Sequence, residues 1–115
     1  MRGTNLGEFE ELVLLIVLAI PDDAYSVAIA DAIREKTGRG AVHSVVHTSL
    51  HRLQEKGFVT SSMGEATAER GGRRKRMYTI TASGMKALEV SKANRDQFWD
   101  MIPKTRIADI YGEAK

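Results

Sequence analysis

Ser44-Val45-Val46-His47-Thr48-Ser49-Leu50-His51-Arg52-Leu53-Gln54-Glu55-Lys56-Gly57, followed at once by Phe58-Val59-Thr60-Ser61-Ser62, is the stretch on which the fold turns. Val46, Leu50 and Leu53 stand at i, i+4 and i+7, so a helix opened by His43 or Ser44 places all three on one face. Its remaining surface shows Ser44, His47, Thr48, His51, Arg52 and Glu55, with Arg52 and Lys56 extending a positive face. Gly57 ends the helix, and the switch to β-branched and short residues from Phe58 predicts a strand. Met77-Tyr78-Thr79-Ile80 predicts the returning strand. The polar, glycine-bearing residues 64–76 between them predict a hairpin with a long tip. That tip ends in Arg70-Gly71-Gly72-Arg73-Arg74-Lys75-Arg76, and its glycines permit close approach to a partner.

Two helices are predicted upstream. Leu6, Phe9, Val13, Ile16, Val17 and Ile20 form an apolar stripe over residues 6–20, with Glu8, Glu10 and Glu11 in the first turns, where negative charge suits the helix dipole. Pro21-Asp22-Asp23 predicts a turn, and Ser26 an N-cap for a second helix that ends near Thr37 before Gly38. Downstream, Thr81 can cap a fourth helix running to about Ile102, ahead of Pro103. At roughly 20 residues it exceeds the usual ~11–12, and its second half lacks intrachain partners. Residues 104–115 are expected to be a weakly ordered tail.

The chain has 115 residues, 17 Lys plus Arg and 15 Asp plus Glu, a net charge of +2 that by itself argues against a nucleic-acid partner. Divided along the chain, the charge is −5 over residues 1–35, +6 over 36–80 and +1 over 81–115. The middle third, which holds the third helix and the hairpin, therefore carries a field able to attract a polyanion. The absence of cysteine excludes disulfide scaffolds, cysteine nucleophiles and thiolate metal sites. The longest apolar run, residues 12–20, is too short to span a membrane and has acidic flanks, so a cytoplasmic location is expected. No Ser/His/Asp order and no phosphate-cradling glycine loop is present, so no enzyme is expected. His43, His47 and His51 share one helix face, but three ligands on one helix rarely converge on an ion, so neither metal nor cofactor is expected.

Three short helices followed by a hairpin describe a mainly α (α+β) winged helix-turn-helix, residues 1–80, with a long C-terminal dimerisation helix, residues 81–103. In this arrangement the third helix enters the major groove and the hairpin, or wing, touches the backbone or minor groove. The residues expected to contact double-stranded DNA are Ser44, His47, Thr48, His51 and Arg52 on the helix, and Arg70, Arg73, Arg74, Lys75 and Arg76 on the wing. The rival reading is a winged-helix protein-interaction module with no operator of its own.

Four blocks carry a family resemblance. They are Leu6-Gly7-Glu8-Phe9-Glu10 with Leu12-Val13-Leu14-Leu15; Ala24-Tyr25-Ser26-Val27-Ala28-Ile29; the stretch from Ser44 to Gly57; and Arg73-Arg74-Lys75-Arg76-Met77-Tyr78-Thr79-Ile80-Thr81-Ala82-Ser83-Gly84. In order and spacing the chain resembles the PadR family of bacterial transcriptional regulators. Its C-terminal region is similar to the small branch with a single dimerisation helix. The resemblance implies a homodimer that reads a near-palindromic operator, most often as a repressor. It also implies an interface, or effector site, around Phe9, Phe98, Trp99, Met101 and Ile102. For Trp99 two readings stand side by side. One is packing at the dimer axis; the other is a tryptophan pair that sandwiches a small flat aromatic effector. The chain departs from the family at His47, where a tyrosine is usual, and at Ser26, where glycine is common. A histidine keeps a hydrogen-bond donor and makes the contact sensitive to pH.

Overall fold

The computed structural model describes residues 5–40, 43–64 and 74–112. Helices α1 (Glu8–Ala19), α2 (Ser26–Thr37) and α3 (His43–Glu55) come first, with a 3-10 turn, Pro21–Asp23, between α1 and α2. Strands β1 (Val59–Met63) and β2 (Arg76–Ile80) follow, and then α4 (Ala82–Asp100) and α5 (Lys104–Tyr111). The strands form one antiparallel ladder running from Val59 opposite Ile80 to Met63 opposite Arg76.

The core lies where the three short helices meet. Val13, Leu14 and Val17 of α1, Ile29, Ala30 and Ile33 of α2, and Val46, Leu50 and Leu53 of α3 are buried together. Phe58, Val59, Tyr78 and Leu88 close it from the hairpin and α4. The α3 stripe read from the sequence is thus the surface on which the other elements pack. The hairpin is tied to the helices by its backbone as well, since the Tyr78 N–H donates to the Ala24 carbonyl at 2.9 Å.

The end of α3 fixes how the hairpin departs. Gly57 adopts φ +79°, a left-handed conformation that costs a residue with a Cβ. Around it the Phe58 N–H donates to Leu53 O at 2.9 Å and the Gly57 N–H to Gln54 O at 3.0 Å. These are the two bonds of a Schellman motif, and Leu53 and Phe58 supply its apolar contact in the core. The next corner is equally constrained. Thr81 caps α4 by accepting the Gly84 N–H at 3.0 Å, and its hydroxyl donates to Gly57 O at 2.7 Å.

Three expectations need correction. Ser26 is the first residue of α2, and the N-cap is Tyr25, without a side-chain cap bond. The fourth helix ends at Asp100, two residues before the expected limit. Residues 104–111, expected within a weakly ordered tail, form α5. Pro103 supplies extended backbone before its first turn, and Gly112 at φ +74° stops it. No residue of α5 is buried. The second half of α4 is likewise exposed, so the protein reaches 63 Å along its long axis.

A nearly buried ion pair holds the N-terminal segment to the end of α3. Lys56 Nζ donates to Glu10 Oε1 at 2.8 Å and to the Asn5 carbonyl at 2.7 Å. The same carboxylate oxygen accepts the Gly7 N–H at 2.9 Å, capping α1. Burial by itself raises the Glu10 carboxyl. The bonds from Lys56 and Gly7 and the charges of Lys56 and Arg52 outweigh that effect and hold it below its usual value of 4.5. A carboxyl lowered in the folded state stabilises the protein above pH 4.5, and that contribution fades as pH falls through the lowered native value. Glu10→Gln is therefore expected to reduce unfolding free energy by about 1–3 kcal/mol at neutral pH. In urea titrations at falling pH, the gap between variant and wild type should close below 4.5. A gap that persists unchanged in acid would contradict the pairing.

Candidate nucleic-acid interface

Helix α3 separates two chemistries onto two faces. Val46, Ser49, Leu50 and Leu53 face the core, whereas Ser44, His47, Thr48, His51 and Arg52 are all exposed. The exposed face has two flanks. Ser44, Thr48 and Arg52, spaced i, i+4 and i+8, line a shallow cleft shared with Glu8 and Phe9 at the start of α1. His47 lines a second cleft on the other flank, opposite Lys75 and Arg76. His51 lies one turn further on, its Nε2 3.4 Å from Glu55 Oε2, an ion pair only when the imidazole is protonated.

The hairpin brings a second set of cations to the same side. Arg70 and Arg73 lie outside the described residues. Arg74 Nε donates to the Gly64 carbonyl at 2.9 Å, and the Gly64 N–H donates to Lys75 O at 2.6 Å, which extends the ladder toward the tip. Lys75 Nζ sits 4.0 Å from the centre of the Tyr25 ring, a cation–π contact that fixes its ammonium beside α2. Arg76 Nη1 donates to Ser61 Oγ across the ladder at 3.1 Å. A convex helix carrying hydroxyls, imidazoles and a guanidinium thus stands next to a strand whose first residue and lead-in carry three cations. Such groups can hydrogen-bond to phosphate oxygens and to the edges of bases.

Lys56 is not part of this face. It turns inward to Glu10 and Asn5, although its place after Arg52 in the sequence puts it on the positive side. Tyr25 and Arg39 are further residues of the site that sequence reasoning does not single out. Tyr25 positions Lys75, fifty residues away along the chain, and no local pattern signals that pairing. Arg39 bridges the α2–α3 connection to α1, with Nη2 2.6 Å from Glu8 Oε2 and its guanidinium 5.7 Å from the centre of the Phe9 ring. Val45 is half exposed beside Ser44. Its apolar side chain off the Val46/Leu50/Leu53 stripe is a signal that could have marked it as surface.

The second candidate site lies along α4. Phe98 and Trp99, each 67% exposed, line a groove of about 1120 Å³ with Leu6, Phe58, Val90 and Arg95. Arg95 Nη2 clamps α4 to α1 through Glu11 Oε1 at 2.6 Å. Met101 and Ile102 follow at the exposed end of the helix. Phe9 is not with them: it is half-buried under Arg39 and lines the cleft beside Ser44, Thr48 and Arg52. Among the described residues no helix is long and apolar enough to cross a membrane.

The fold and the sequence have relatives. Solved structures similar to this one include the Streptococcus mutans UA159 protein smu.1704, 25% identical with a TM-score of 0.61, over 92% of this chain and 89% of that one. A transcriptional regulator from Clostridium thermocellum, Cth-833, is 24% identical with a TM-score of 0.57, over 82% of this chain and 89% of that one. Bacillus subtilis PadR in complex with operator DNA is 18% identical with a TM-score of 0.58, over 91% of this chain and 67% of that one. Among curated proteins none matches the chain. The sequence profile of the transcriptional regulator PadR-like family matches residues 14–90, which takes in the winged helix-turn-helix from within α1 to the first half of α4. On that match, the chain belongs to the PadR-like family of transcriptional regulators.

Proposed function

We propose that the protein is a cytoplasmic, homodimeric repressor that binds a near-palindromic operator. One observation carries the reading: His47, on the exposed polar face of α3, lines one cleft with Lys75 and Arg76 at the start of β2, so the helix and the wing present their polar groups side by side. A helix backed by a rigid apolar stripe can lie in the major groove while Arg74, Lys75 and Arg76 reach the backbone beside it. The Bacillus subtilis relative of similar fold was solved on operator DNA, which supports the same partner here. The exposed Phe98, Trp99 and Met101 support a dimer, because a monomer rarely leaves such side chains in water on one helix. Two copies would present two third helices to half-sites about 34–36 Å apart. The groove under Phe98 and Trp99 is roomy enough for a flat aromatic effector, whose binding would alter that spacing.

Gel shifts with DNA from upstream of the protein's own gene, at rising salt, test this reading. A sequence-preferring complex with a steep salt slope is expected. Arg52→Ala and Arg74→Ala should each flatten the slope by about one unit per lost phosphate contact. A protein that shows no sequence preference even at low salt would instead be a protein-interaction module.

A further inference from the structure

The cleft between α3 and the wing holds a more specific device. It has a volume of about 230 Å³, and His47, Lys75 and Arg76 converge on it beside the first turn of α2. We propose that this cleft seats one backbone phosphodiester of the bound DNA on each protomer, and that His47 takes up a proton from solvent as it fills. The proposal rests on the DNA-binding reading above and adds the phosphate's position and the charge that binding requires.

Both fixed cations are held in place by the chain itself. Lys75 is stacked on Tyr25, and Arg76 is anchored on Ser61. Among the described residues, neither is spent on a carboxylate and no carboxylate lines the cleft. Among the described residues, too, the groups facing His47 can be named element by element. From β2 and the residue before it they are Lys75, Arg76 and the Tyr78 phenol, which burial keeps protonated against the opposing effect of Arg76. From the start of α2 they are Tyr25, Ser26 and Val27. Asp22 and Asp23, in the turn before α2, do not line the cleft. On α3 itself, His43 and His51 stand one turn either side, and His51 has Glu55 as its neighbour.

The cleft is thus a site for one negative charge. A neutral imidazole can give a phosphodiester oxygen one ordinary hydrogen bond, whereas an imidazolium gives a charge-assisted one, roughly twice as strong. Binding that favours the protonated form is, by linkage, stronger where that form prevails. Histidine is the side chain that changes charge between about pH 5 and 8, so the effect falls in that window.

Fluorescence anisotropy with two labelled duplexes, the protein's upstream DNA and one of mixed sequence, tests the proposal at fixed salt. Wild-type affinity is expected to fall at least about tenfold as pH rises from about 6 to about 8. His47→Gln should be flat across the range, at the weak level. His47→Arg should be flat at the tight level, because its charge does not titrate. His43→Gln, a histidine outside the cleft, should keep the wild-type profile. A flat wild-type profile, or a response that survives His47→Gln, overturns the proposal while leaving the DNA-binding reading intact. Failure of the wild type to bind either duplex overturns both.

Discussion

Gly84→Ala is expected to cost about 3 kcal/mol or more of folding stability, a large part of the roughly 5–15 kcal/mol that a domain of this kind possesses. In an open helix the same change stabilises by up to about 1 kcal/mol, because alanine is the better helix former. Here the sign reverses for a geometric reason. A Cβ at Gly84 would lie 2.3 Å from the Phe58 carbonyl oxygen and 2.9 Å from Ile80 Cγ1. The Phe58 peptide cannot retreat. Its oxygen accepts the Thr81 N–H at 3.0 Å, its own N–H is bound to Leu53 O at 2.9 Å, and the preceding carbonyl of Gly57 accepts the Thr81 hydroxyl. Moving α4 away instead would break the Thr81 cap and lift Leu88 from the core. Urea unfolding should show a much lower midpoint. Gly38→Ala is the internal control: its φ of +75° is strained for alanine, yet nothing lies within 4 Å of the added carbon. That variant should lose only about 1–2 kcal/mol. A Gly84→Ala loss no larger than the control's would show that the corner between β1 and α4 yields easily.

Gly84 also shows where legibility in the sequence ends. The winged arrangement can be read because its signals are local. Val46, Leu50 and Leu53 recur at helical spacing, Gly57 punctuates, and a plain switch of residue type from Phe58 onward marks the hairpin. The exposed polar side chains of α3 follow directly, since a helix with one apolar stripe must turn its other residues outward. What cannot be read depends on contacts between distant segments. The need for glycine at 84 comes from a carbonyl at 58, and the inward turn of Lys56 from a carboxylate at 10. The position of Lys75 comes from a ring at 25. The helix at 104–111 is hidden for the opposite reason. Its start at Pro103 and stop at Gly112 are local signals, but it is short and buries nothing, so no apolar periodicity against this chain marks it.

If the proposed dimer forms through α4, a Phe98→Ala, Trp99→Ala double variant is expected to be monomeric and to bind operator DNA at least about 100-fold more weakly than the wild type. Both side chains are 67% exposed, and Met101 beside them is 72% exposed. Burying a large apolar side chain fully is worth roughly 1.5–3 kcal/mol, and two-fold symmetry counts every such contact twice. In the proposed dimer the open groove between α4 and the start of α1 would seat a helix of the second copy, which has a diameter of about 10–12 Å with its side chains. Leu15 and Leu18, 44% and 40% exposed on α1, offer that copy a further apolar strip. The loss of affinity follows without any loss of DNA contacts. With two linked third helices, the second half-site is engaged intramolecularly, and a monomer forfeits that gain. Sedimentation velocity reads the oligomeric state, and two duplexes separate the causes. On a duplex carrying one half-site, variant and wild-type protomers should bind alike, because α3 and the wing are untouched; on the full operator they should diverge. If the variant sediments as a dimer and binds the full operator as the wild type does, the second half of α4 is not the interface. Equal losses on both duplexes would point to damage within the winged domain, which the long projection of α4 beyond Leu88, with no buried residue in its second half, makes unexpected.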